Sequence, residues 1–343
     1  MLDPRDHKPS TIFNELLIAG LSEAKIRRLL GAVLGRGDYD PSSWSSSGIL
    51  KNKESNLFAK LPTLTLEKSI TSPIDGFKKL LFRTSDGLAI ESVIIPLKKE
   101  KCVTVCLSSQ VGCVMNCQFC ATARMKDRRN LETWEIIDQF IQTRAVASTD
   151  NRKITGVVFM GMGEPFLNYH RVMAAAELLS YPVLNPVSAK AITVSTVGLV
   201  DKIDQFTTEK RPFRLSISLG AATDEKRALL VPVAAKTPIK EVMAAAKRYS
   251  LTRKKRVMLA YVCIHGVNVG EEDAKALADL VLDTPVRLDL IEVTDSTGRF
   301  KKPTDDEMNL FRDALTYYLK QPVVRRYSGG ADINAACGTL AGV

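Results

Sequence analysis

Gly112-Cys113-Val114-Met115-Asn116-Cys117-Gln118-Phe119-Cys120 is the stretch on which the reading turns. Its cysteines are spaced C-x3-C-x2-C, and Cys102 and Cys106 lie just upstream. Five of the seven cysteines thus fall within nineteen residues; the other two are Cys263 and Cys337. The start, Met1 to Lys8, has no apolar signal-peptide core. No run approaches the ~18–20 apolar residues that cross a bilayer. A cytoplasmic chain with no membrane partner is expected, and a disulfide framework is disfavoured there. Thiols clustered in a reducing compartment point to metal. Three closely spaced thiolates can hold an iron–sulfur cluster, and a four-iron cluster ordinarily takes four. With three, one iron stays open to a substrate or cofactor, as catalytic zinc sites keep an open position. Zinc itself would favour two CxxC pairs or nearby His, and none is close. Unused buried thiols are the remaining alternative.

Working outward, Val103 to Leu107 reads as a strand, so the cysteines sit on a loop at its C-terminal end, where barrel enzymes place their chemistry. Further strands are expected at 156–160, 191–195, 213–218, 257–264 and 286–293. Helices fit between them at 131–147, 169–180, 239–250, 271–282 and 305–319. Alternating βα units argue for a parallel sheet or partial barrel in an α/β fold. Before residue 96 the pattern differs. Ser10 to Leu34 has helical periodicity, 40–48 is a loop by composition, and Asp86-Gly87 separates Leu80-Leu81-Phe82 from Leu88 to Pro96 as a hairpin.

The chain has 343 residues, 45% hydrophobic and 25% charged, which excludes wholesale disorder. Its charge is +10, from 48 Lys+Arg against 38 Asp+Glu. Basic residues gather at Arg124, Lys126, Arg128 and Arg129, at Arg253 to Arg256, at Arg299, Lys301 and Lys302, and at Arg325 and Arg326. Phosphate contacts to a nucleic acid are one reading and a solvated basic surface is the other. Three His are few for an enzyme built on imidazole chemistry, and His265 reads as a loop residue.

C-x3-C-x2-C with Phe119 before the last Cys resembles the radical S-adenosylmethionine (SAM) superfamily. Gly161-Met162-Gly163-Glu164-Pro165, after a strand, is similar to that superfamily's loop for the SAM amino group. Further stretches resemble the RNA adenine methyltransferases of the RlmN/Cfr family. They are Ile90-Glu91-Ser92-Val93, Cys106-Leu107-Ser108-Ser109-Gln110-Val111-Gly112-Cys113, Ser195-Thr196-Val197-Gly198, Ser216-Ile217-Ser218-Leu219 and Asp332-Ile333-Asn334-Ala335-Ala336-Cys337-Gly338. The resemblance implies a partial (β/α) radical SAM barrel at 96–320. It adds a small N-terminal accessory domain at 1–95 that engages RNA, and a C-terminal segment at 321–343 that returns to the barrel mouth.

It further implies one [4Fe-4S] cluster on Cys113, Cys117 and Cys120, and two SAM molecules per turnover. Gly163, Glu164, Ser195, Ser218, Leu219, Gly220 and Thr294 would contact SAM. One SAM would methylate Cys337; the other, cleaved at the cluster, would activate that methyl for addition to an adenine ring carbon. Cys106 would release the product through a transient disulfide with Cys337, and Glu91 would be the proton acceptor. The expected function is methylation of adenine, at C2, in 23S rRNA and also in tRNA, by a monomer fed by an external electron donor. Alternatives are C8 methylation of the antibiotic-resistance type, a diverged radical SAM enzyme with a non-RNA substrate, and a non-enzymatic RNA-binding iron–sulfur protein. Cys102 and Cys263 have no counterpart and are expected to be structural. The chain departs from the family pattern at Gly220, at Thr294, at 124–129 and at Pro232-Val233-Ala234.

Overall fold

The computed structural model describes residues 3–182, 187–295 and 297–342. The chain opens with α1 (Pro9–Ile18), α2 (Glu23–Leu30), a π-helical turn over Gly31–Arg36, α3 (Pro41–Ser46) and α4 (Asn52–Ser55). Helix α3 replaces the expected loop. Asp40 caps it by accepting a hydrogen bond from the Ser42 amide at 2.9 Å, and Pro41 sits in the first turn, where a missing N–H costs nothing. The helix is retained because Trp44 is fully buried, edge-on to Phe58.

The strands follow: β1 (Thr65–Thr71), β2 (Lys78–Arg83), β3 (Ala89–Pro96), β4 (Cys102–Cys106), β5 (Gln110–Val111) and β6 (Arg129–Asn130). Then come α5 (Thr133–Thr149), β7 (Lys153–Phe159), α6 (Tyr169–Leu179), β8 (Ile192–Thr196), α7 (Val200–Thr208), β9 (Arg214–Ser218), α8 (Asp224–Leu230) and α9 (Ile239–Arg253). The last elements are β10 (Val257–Cys263), α10 (Glu271–Val281), β11 (Val286–Glu292), α11 (Asp305–Leu319) and β12 (Val323–Arg326).

One ten-stranded sheet runs β1-β2-β3-β4-β7-β8-β9-β10-β11-β12, and β5 pairs with β6 apart from it. From β4 onward every pair is parallel, with helices between successive strands, as in a partial (β/α) barrel. One face of those strands is a continuous apolar layer against the helices: Val105, Val157, Val194, Ile217, Leu259 and Leu288 share that face by strand register and are fully buried. The β1-β2-β3 meander joins antiparallel to β4, with Val93 opposite Cys106. The sheet therefore continues unbroken past residue 96, where the sequence pattern changes.

The N-terminal helices dock on α5. Asp138, fully buried on α5, accepts from the Leu64 amide at 2.7 Å and from the Tyr39 hydroxyl, and Arg144 donates to the carbonyls of Leu34 and Gly35. Among the described residues, no helix is long and apolar enough to cross a membrane.

Candidate active site

The C-terminal ends of the parallel strands converge on a cavity of about 200 Å³. Cys106 ends β4, Ser195 lies one residue before the end of β8, Ser218 ends β9, and Arg326 ends β12; all four line it. Cys117 and Cys120 enter from the loop after β4, Gly163 and Glu164 from the loop after β7, and Cys337 from the C-terminal segment. The expected residues Leu219, Gly220 and Thr294 are not among those lining it. Leu219 puts its side chain into the core and its amide on the Ala260 carbonyl at 3.0 Å. Gly220 turns the chain away with φ +77°, and a Cβ there would sit 2.9 Å from Val231.

The cysteine loop is folded by tight local contacts. Gly112 has φ +59°, and a Cβ would lie 2.4 Å from the Asp127 carbonyl, so only glycine fits. The Gln118 amide donates to the Leu230 carbonyl at 2.9 Å, and the Cys120 amide to the Cys117 carbonyl at 3.0 Å. Cys113, Cys117 and Phe119 pack on a small apolar cluster that includes Met115, Leu230 and Val231. Burial pushes the Cys113 thiol up to about 12 and Cys117 well above its ordinary value, and the nearby Cys120 and Glu164 raise both further. Thiols that resist ionisation alone but sit within electrostatic reach of one another are a donor set completed by a bound cation. Among the described residues, no three Cys, His, Asp or Glu side chains converge so as to hold a single metal ion.

Glu164 faces them. A Cβ on Gly161 would lie 2.8 Å from the Leu107 carbonyl, and one on Gly163 2.5 Å from Gln110. The loop after β7 thus presses directly on the chain after β4. The Glu164 carboxylate accepts from the Phe166 amide and the Val197 amide, both at 2.9 Å. Burial pushes its carboxyl up to about 7, although those hydrogen bonds pull it down. A ligand ammonium in the cavity would restore the charged form.

Cys106 and Cys337 share this cavity. Burial pushes the Cys106 thiol up to about 12, with a further push from the nearby Cys337; Arg326 opposes both effects. Cys337 remains exposed to solvent although atoms crowd its thiol. Crowding raises its pKa, and Arg326 lowers it. Arg326 was legible only as one of two adjacent basic residues. Its neighbour Arg325 points elsewhere, onto Glu292 and Asp305.

Glu91 lies outside the lining. Its carboxylate is fully buried, paired with Lys79 and bonded to the amides of Ala341 and Gly342. Taking a proton from a substrate would first require those contacts to open. Cys102 begins β4 and Cys263 ends β10, both away from the cavity lining; Cys263 is fully buried. His265 is exposed and paired with Glu307.

The basic stretches divide. Arg299 donates to Gln118 in the cysteine loop, and Arg124 lies near Asp295, so each stretch touches a loop whose neighbouring residues line the cavity. Arg129 and Lys302 are ion-paired, which removes part of the excess. Arg253 to Arg256 precede β10 and lie at the opposite end of the sheet, about 20 Å away for a strand of this length.

Residues 107–281 match the Radical SAM superfamily. A "Probable RNA methyltransferase" of Myxococcus xanthus is 43% identical over 93% of this chain and 88% of its own. A "Dual-specificity RNA methyltransferase RlmN" of Geotalea uraniireducens is 39% identical over 80% of this chain and 78% of its own. The crystal structure of a radical SAM methyltransferase from Sphaerobacter thermophilus superposes over 100% of both chains, with a TM-score of 0.91 and 33% identity.

Proposed function

We propose a reaction for this chain, which belongs to the radical SAM superfamily and, within it, to the RNA methyltransferase family that includes RlmN: methylation of an adenine ring carbon in RNA, with Cys337 as the methyl carrier. The observation that carries this reading is the meeting of Cys106 and Cys337 with Cys117, Cys120 and Glu164 around one cavity.

Cys113, Cys117 and Cys120 would hold a [4Fe-4S] cluster with one open iron, and Glu164 would accept the SAM ammonium beside it. Gly163, Ser195 and Ser218 supply close backbone approach and hydroxyls along the same wall. When bound, the cluster and SAM supply one-electron chemistry, which an sp2 ring carbon that is not a nucleophile requires.

Cys337 takes a methyl group by displacement, its thiol proton passing to solvent. Arg326 favours its thiolate, and the exposure of the residue leaves a way in for a donor. Once the carried carbon is joined to the base, Cys106 attacks the Cys337 sulfur. The Cys106–Cys337 S–S bond forms and the sulfur–carbon bond breaks, with the electron pair staying on the carbon, which takes a proton. An external reductant returns the two thiols. No structural disulfide is needed: all seven cysteines are free.

Kinship with RlmN favours C2 of adenine in 23S rRNA, with tRNA as a second substrate. Residues 1–95 and the basic residues beside the cavity would engage the RNA, by its shape and an extruded base. Mass spectrometry of rRNA and tRNA from a strain lacking the gene tests this. Loss of 2-methyladenosine, restored by the gene, is expected. Loss of 8-methyladenosine would move the reaction to C8, and unchanged RNA would overturn an RNA substrate.

A further inference from the structure

The segment that carries Cys337 has little regular structure of its own. After β12 it holds one short 3-10 turn, Ala331–Ile333, and Ala331, Asp332 and Asn334 are exposed. Its path is set by contacts with other parts of the chain. At the near end, Asp75 in the β1–β2 turn accepts from the Gly330 amide at 2.8 Å and from the Tyr327 hydroxyl at 3.0 Å. A Cβ on Gly329 would lie 2.4 Å from the Phe77 ring and 2.6 Å from Asp75. The backbone therefore lies directly on the turn. At the far end, Glu91 accepts from the Ala341 amide at 2.9 Å and the Gly342 amide at 3.2 Å. Between them, the Ala121 amide donates to the Gly338 carbonyl at 2.7 Å and the Thr122 hydroxyl to the Leu340 carbonyl at 2.6 Å.

The Glu91 end is costly to build. Glu91 is fully buried and Lys79 is 4% exposed, with Nζ 2.9 Å from Oε1. Burying two charges yields little net stability, so such a pair is better explained by specificity of position than by strength. Strand alternation explains the position. Glu91, Val93 and Ile95 share one face of β3, and Val93 and Ile95 line the cavity. Glu91 would face the same way but for residues 341 and 342 lying over it.

We propose that Asp75 and Glu91 are positioning residues that hold the Cys337 segment by its two ends, fixing the thiol in the cavity opposite Cys106. This rests on the reading of Cys337 as methyl carrier. It gives the β1-β2-β3 meander a task separate from RNA contact: it is the fixed frame for a segment with little regular structure of its own. Reacting groups need placement to within about 0.5 Å, and this loop has no helix or strand to provide it.

Hydrogen exchange of the reconstituted protein, read on peptides covering 327–342, tests the proposal. Two variants are compared with wild type: Asp75→Ala, and the double change Lys79→Met with Glu91→Leu, which leaves no buried charge and removes the acceptor of the Ala341 and Gly342 amides. Each should speed exchange there roughly tenfold or more, with peptides of β8 to β10 unchanged. Asp75→Asn, which keeps an acceptor oxygen, should restore slow exchange. In Asp75→Ala, 5′-deoxyadenosine should still form while methyl on Cys337 falls roughly tenfold. Wild-type exchange and wild-type Cys337 methylation in Asp75→Ala would overturn the proposal. So would faster exchange that spreads equally through the core. Wild-type protein carrying no methyl on Cys337 would instead sink the carrier reading, and the exchange pattern would still decide whether the ends are held.

Discussion

Glu164, on the loop after β7, reaches across the cavity wall to accept a hydrogen bond from the Val197 amide after β8 at 2.9 Å. This contact joins two neighbouring strand ends and leaves a buried carboxylate facing the cavity. Loss of that charge should weaken SAM binding. Glu164→Gln is expected to lower affinity by about tenfold to a hundredfold in an equilibrium binding measurement, the usual weight of a hydrogen bond to a charged group. Unchanged affinity would remove Glu164 from the site.

The same carboxyl predicts a pH-dependent cost. Its pKa rises on folding from 4.5 to about 7. A raised pKa means its contribution to stability is fully present below the unfolded value and is lost as pH rises through 7. Cluster-free Glu164→Gln should therefore be more stable than wild type at pH 8, by roughly 1–3 kcal/mol, and no more stable near pH 4. Urea unfolding at the two pH values measures this. A deficit at pH 8 would show that the carboxylate is well compensated without ligand.

The cysteines should separate by iron content. Cys113→Ala, Cys117→Ala and Cys120→Ala should each lose most iron and the visible absorption after anaerobic reconstitution. Cys102→Ala and Cys263→Ala should retain both, with Cys263→Ala costing about 1–2 kcal/mol for the space left in the core. Normal iron in Cys120→Ala would break the ligand assignment.

Arg129 bridges Asp86 at the β2–β3 turn and Glu135 on α5, tying the meander to the barrel helices. Hydrogen bonds from Arg129 pull the Asp86 carboxyl well below its ordinary range. A lowered pKa contributes stability that is present above the unfolded value and lost as pH falls. Because both groups are partly exposed, the pair is worth only about 0.5–1 kcal/mol. Asp86→Asn should lose that amount at pH 7 and progressively less below pH 4, with a smaller loss at pH 2, measured by urea unfolding at low salt. An equal loss at both would mark a packing defect.

Much of the fold was legible because its parallel strands are continuous apolar runs, as in Val157-Val158-Phe159 and Val257 to Cys263. What escaped had no such pattern. Helix α3 is mostly serine and depends on Trp44 finding a tertiary pocket. Strand β12, Val323-Val324-Arg325-Arg326, is four residues at a sheet edge with two exposed. In the site, the cysteines and Glu164 announced themselves by spacing. Arg326 did not, because strand alternation alone decides that it, and not Arg325, enters the cavity. Net charge likewise overstated the polyanion surface, since Arg129, Lys302 and Arg325 are engaged by carboxylates. The tail contacts of Asp75 and Glu91 span more than 240 residues of sequence and leave no local trace.

The central claim is that Cys337 carries the methyl group and Cys106 releases it. The most direct measurement is turnover by reconstituted Cys106→Ala with SAM, reductant and RNA, followed by nuclease and protease digestion and mass spectrometry of the Cys337 peptide. A nucleotide joined through one carbon to the Cys337 sulfur is expected, with little free methylated RNA. Free product at the wild-type rate, with an unmodified Cys337 peptide, would contradict it.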